Sequence, residues 1–109
     1  MIDTTTMLES NEKYSIEYLP TLLELFENDL EYCIQLKTEI EKGASAERCK
    51  EVKPFVEASL HRLQKYQPVV LRWREAENLT PRQRDWLTSL RMLMVLLRRK
   101  LSQLEGELF

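Results

Sequence analysis

A chain of 109 residues has room for one small domain with one core, and a net charge of −2 excludes the uniformly basic surface of a general nucleic-acid binder. With 2 glycines and 4 prolines in a sequence dominated by Leu, Glu, Lys and Arg, helix is the expected state. Val and Ile are sparse and no Asp-Gly turn occurs, which argues against a sheet.

Residues 1–14 are polar and are expected to form a flexible N-terminal segment ahead of a single helical domain over residues 15–109. Met7 and Leu8 are its candidate docking residues. The segment has no basic stretch and no apolar run, so no signal peptide is expected. No stretch of the chain reaches the ~18 apolar residues of a membrane span.

The first helix is predicted from about Ser15 to Lys42. Leu19, Phe26, Cys33 and Ile40 recur every seven residues, and Leu22, Leu23, Leu30 and Leu36 widen that stripe at helical spacing. Glu24, Glu27, Glu31, Glu39 and Glu41 decorate the other side. Pro20 suits a first turn, and Gly43 suits the position just past the end.

The second helix is predicted from about Ala46 to Ala76, with Ser45 as N-cap. Cys49, Val56, Leu63 and Val70 repeat every seven residues, with Val52, Tyr66 and Trp73 beside them and Ser59 interrupting the row. Pro54 and Pro68 each remove a backbone donor and crowd the preceding turn. The stripe keeps its phase across both, which predicts one long helix. It is expected to bend at Pro68 and either to bend or to start afresh at Pro54.

The third helix opens at "NLTPRQRDWL". Thr80 as N-cap, Pro81 at the first position and Gln83 at the third make a capping box. Leu87, Leu90, Met94, Leu97, Leu101, Leu104 and Leu108 then follow at alternating spacings of 3 and 4, a heptad seam. Trp86 and Leu93 widen it on one flank. Three long helices with short connections predict an all-α fold, an antiparallel three-helix bundle running up-down-up.

One stretch exceeds what that bundle needs. In "SLRMLMVLLRRK", Ser89 to Lys100, nearly every position from Leu90 to Leu97 is apolar. With Leu87 at 0° and 100° per residue, Val95 lies near about 80°, Met92 near about 140° and Leu96 near about 180°, all off the seam. Arg99, near about 120°, lies beside them and is placed to pair with an acid. These four are the candidate partner-binding residues. Met suits an adaptable surface, and a partner helix would use anchors at i, i+3, i+4 and i+7. The alternative is that the patch serves homodimerisation, or is covered by the N-terminal residues.

Charge is divided along the chain. Residues 1–42 hold ten acids and three bases, whereas residues 43–109 hold eight acids and thirteen bases. The division fits complementary helices within one bundle, or a basic face for an acidic partner.

Residues for catalysis are not found. His61 is the single histidine and has no ligand-type residue at metal spacing. Cys33 and Cys49 lie on apolar stripes and are expected to be reduced thiols, although the count alone allows a disulfide. The two glycines, Gly43 and Gly106, form no phosphate loop, so no metal, cofactor or enzymatic role is expected. The phrase "LTPRQRDWL" resembles the opening of a LuxR-type helix-turn-helix over nine residues. No second short helix follows it, and basic residues are interleaved with acids, so nucleic acid is not the expected partner.

Across residues 15–109 the pattern resembles the small FlgN/FliT-type flagellar export chaperones. The similarity lies in the opening helix "LPTLLELFENDLEYCIQL", a middle helix after a short charged turn, and the last helix "LTPRQRDWLTSLRMLMVLLRRKLSQLEGELF". The resemblance implies a cytoplasmic chaperone of type III secretion. Such a protein covers the amphipathic C-terminal helix of an export substrate until delivery. Met92, Val95 and Leu96 would then meet the substrate's apolar face, with Arg99 at the rim.

Overall fold

The computed structural model describes residues 15–108. The expected flexible segment 1–14, with Met7 and Leu8, lies outside the described residues. A 3-10 turn, Ile16–Tyr18, leads into α1, Leu19–Glu41; α2 is Ala46–Arg74 and α3 is Pro81–Leu108. Among the described residues there is no strand, and the fold is an all-α three-helix bundle.

Each boundary has a local cause. Pro20 sits in the first turn of α1, where a missing N–H costs nothing. Gly43 takes φ of +96°, a conformation that disfavours any side chain, and its N–H donates to the Ile40 carbonyl at 3.0 Å. The Ser45 hydroxyl accepts the Arg48 N–H at 3.1 Å and starts α2. Before α3 the capping box is complete: Gln83 N–H donates to Thr80 Oγ1 at 3.1 Å, and Thr80 N–H donates to Gln83 Oε1 at 2.9 Å.

Helix α2 runs unbroken through Pro54 and Pro68, so it neither starts nor splits at Pro54. Each proline deprives the carbonyl four residues back, on Lys50 and Gln64, of its donor. All four residues lie on the exposed side of α2, where water can replace the lost bond.

Side-chain pairings set the topology. Tyr18 lies beside Tyr66, Asp29 beside Ser59 and Glu39 beside Arg48, so α1 and α2 are antiparallel. Lys37 Nζ donates to Gln103 Oε1 at 2.8 Å, and Cys33 feels the charge of Lys100, so α1 and α3 run the same way. Helix α3 packs closely along both neighbours, whereas α1 and α2 meet chiefly through long side chains. One core results, with Leu19, Leu22, Phe26, Cys33 and Leu36 from α1 facing Leu90, Leu97, Leu101 and Leu104 from α3. Val52, Val56, Leu63, Tyr66, Val70 and Trp73 close it from α2.

The expected seam of α3 is buried at Leu87, Leu90, Leu97, Leu101 and Leu104, while Met94 and Leu108 are half-buried. Leu93, expected to widen the seam on one flank, is buried, and Trp86 beside it is half-buried. A helix that packs on two neighbours needs a wider face than a single seam, and Leu93 supplies it.

Candidate protein-binding groove

The described residues include six large hydrophobic side chains that stay exposed: Tyr32, Ile34, Leu71, Met92, Val95 and Leu96. Tyr32 packs edge-on against Phe55, with ring centroids 4.7 Å apart. The last four converge. They line one open groove of about 570 Å³ between α2 and α3. Its floor is Leu63, Val70 and Met94, and no α1 residue reaches it.

The two helices supply the groove for the same reason. Val69, Val70 and Leu71 are consecutive, as are Met94, Val95, Leu96 and Leu97. Successive residues on a helix are about 100° apart, so a run of three or four apolar residues cannot all face one core. Val69, Val70 and Leu97 take the buried directions, and Leu71, Val95 and Leu96 are left outside. Met92 is 62% exposed, Val95 59% and Leu96 45%, so none of the three is a core residue.

The polar rim differs from the expectation. Arg99 is exposed but does not line the groove, whose arginines are Arg91 and Arg98. These two are seven residues apart and so share one face of α3. A helical wheel places Arg99 among the outward apolar residues of α3, but it cannot show on which side α2 stands. Helix α2 flanks the side that carries Arg91 and Arg98. Neither arginine has an ion-pair partner among the described residues, and the lining contains no carboxylate. Gln67 and Thr88 complete the rim, and the Thr88 hydroxyl is already donated to the Arg84 carbonyl at 3.0 Å.

Leu71 was not among the predicted site residues, although the run "VVL" carried its signal. Arg48 joins Glu39 at 2.6 Å and Glu51 at 3.2 Å, and the bond to Glu39 above all holds its guanidinium charged. Cys33 and Cys49 are free thiols, one buried and one half-buried. Among the described residues no three His, Cys, Asp or Glu side chains gather as a metal site, and no helix is long and apolar enough to cross a membrane. The groove lining offers no nucleophile beyond one engaged hydroxyl and no group that exchanges a proton near neutral pH. Its chemistry is that of holding an apolar surface. Comparison of the chain with family models, curated proteins and solved structures finds no match.

Proposed function

We propose that this chain is a non-catalytic helical binding protein whose α2–α3 groove covers the apolar face of a partner's amphipathic helix. The observation that carries the reading is the convergence of Leu71, Met92, Val95 and Leu96, all exposed, on one groove of two helices. A third helix laid there would complete the burial that the two leave unfinished. Helices are recognised in such grooves through anchors on successive turns, and Leu71 and Val95 face a guest from opposite walls.

The resemblance to FlgN/FliT-type chaperones names the class of partner: the amphipathic helix of a type III export substrate, held in the cytoplasm before secretion. A patch of four exposed apolar side chains is small against the roughly 20–30 residues a side of a standard stable interface, which suits a client that must be released. Self-association through the same face is the second reading, since an apolar patch of this kind also fits a dimer.

A photoreactive residue placed at Val95, with one at Ile34 as control, tests the proposal in cell extract. Crosslinks from Val95 are expected on an amphipathic helical segment of a secreted protein, and Leu96→Arg is expected to remove them. Crosslinks from Val95 only to other copies of this chain would overturn the chaperone reading in favour of the dimer.

A further inference from the structure

The rim charges specify the partner further. The α2 segment Ala46–Arg74 holds seven bases and three acids, and α3, Pro81–Leu108, holds six bases and three acids. Helix α1, Leu19–Glu41, holds six acids and one base and contributes nothing to the groove. The bundle is therefore polarised, with its open groove between the two basic helices. Within that groove Arg91 and Arg98 are the charged residues, both exposed and both without an ion-pair partner among the described residues. Lys37, Arg48 and Arg62 are engaged in ion pairs, and none of the three lines the groove.

We infer that the groove selects an acidic amphipathic helix, one whose apolar stripe is flanked by carboxylates two helical turns apart; the inference rests on the groove reading above. Arg91 and Arg98 are separated by two turns, about 10.5 Å along the axis. A guest helix lying along α3 therefore meets both with carboxylates seven residues apart on its own flank. Arginine suits the task, because its planar fork holds a carboxylate through two parallel hydrogen bonds. The same charges disfavour a second copy as occupant. A two-fold dimer places the same patch on both sides, which brings four unpaired arginines into one interface.

The test uses the full chain and two synthetic helical peptides of about three heptads, labelled with fluorescein. Both carry leucines at i, i+3, i+4 and i+7; one has glutamates seven apart on the flank and the other has lysines there. By fluorescence anisotropy the glutamate peptide is expected to bind about tenfold more tightly or better, from two exposed charge pairs gained against two repulsions. The preference is expected to shrink with added salt. Arg91→Glu and Arg98→Glu together are expected to reverse it, both positions being exposed and outside the core. Leu71→Ser with Val95→Ser is expected to weaken both peptides.

Equal binding of the two peptides, lost in the serine variant, overturns the charge selection and leaves the groove reading standing. Glutamate-peptide binding that the serine variant does not change places it elsewhere and overturns both. Failure of either peptide to bind a wild-type chain that sediments as a dimer also overturns both and assigns the groove to a second copy.

Discussion

Asp29 and Arg62 form the ion pair that ties α1 to the middle of α2. Asp29 Oδ2 lies 2.9 Å from Arg62 Nη2, and it accepts from Arg62 Nε at 3.0 Å and from Ser59 Oγ at 3.1 Å. Asp29 is a buried charged residue on α1, and Ser59, fully buried, is the residue that interrupts the apolar row of α2. The interruption is thus a matched polar contact. No buried side-chain nitrogen or oxygen among the described residues lacks a partner. A buried polar set whose members are all satisfied holds two helices in one register, because sliding by a turn would strand the carboxylate.

Breaking one member is therefore predicted to cost more than removing the pair. Arg62→Met leaves the Asp29 carboxylate with the Ser59 hydroxyl alone and is expected to destabilise by about 2 kcal/mol, moderated because Arg62 is partly exposed. Asp29→Leu with Arg62→Met is expected to cost less than the sum of the two single changes. Urea unfolding of the four proteins measures the coupling, and strictly additive losses would remove the pair from the account of register.

The helices of this fold were legible because their causes are local. Seven-residue recurrence, Gly43, Ser45 and the Thr80–Gln83 box each act within a few residues of the boundary they set. What escaped depended on a neighbour. Leu71 and Leu96 become one groove only when α2 and α3 are packed, and Arg98 rather than Arg99 reaches its rim for the same reason. Asp29 and Arg62 are thirty-three residues apart and look like ordinary surface charges in the sequence. The unbroken course of α2 was legible in part. The stripe kept its phase across Pro54 and Pro68, and the exposed side on which both prolines fall shows why continuity is tolerated.

The capping box makes a separate prediction. Thr80 and Gln83 each satisfy the other's backbone N–H at the start of a 28-residue helix. Thr80→Ala is expected to cost about 1 kcal/mol, and Thr80→Ser to retain most of the stability. Thermal unfolding followed by circular dichroism checks both. An alanine variant as stable as wild type would mean that Pro81 and the packing of α3 suffice to start the helix.

Cys33 predicts a loss of stability at high pH. Burial pushes its thiol from 9.0 up to about 11, with Lys100 and Lys37 pulling the other way and Asp29 adding to the rise. The folded chain therefore keeps a proton that the unfolded chain releases. This contribution is fully present below about pH 9 and is lost as pH rises through about 11. Cys33→Ala lowers stability through lost packing, but it should remove that part of the pH slope. Urea midpoints of the two proteins across this range are the measurement, and parallel curves would show that the thiol does not titrate late. At pH 8 the half-buried Cys49 is expected to react with a thiol reagent well before Cys33 does.

The sharpest contrast lies between two adjacent leucines. Leu97 is wholly buried against the α1 face, and Leu96 is 45% exposed in the groove. Leu97→Ala removes core contacts and leaves a cavity, so a loss of about 2–5 kcal/mol is expected. Leu96→Arg places a long side chain where its charge stays in water, so the helical content and unfolding midpoint are expected to remain near wild type. Its effect should fall on binding instead, because a third arginine beside the apolar wall both fills the groove and removes an anchor. Equilibrium unfolding and anisotropy with the glutamate peptide, run on the same preparations, separate the two roles. If Leu96→Arg unfolds the chain, Leu96 belongs to the core and the groove loses one of its walls. If it stays folded and binds the peptide as wild type does, the apolar wall of α3 is not where the partner sits.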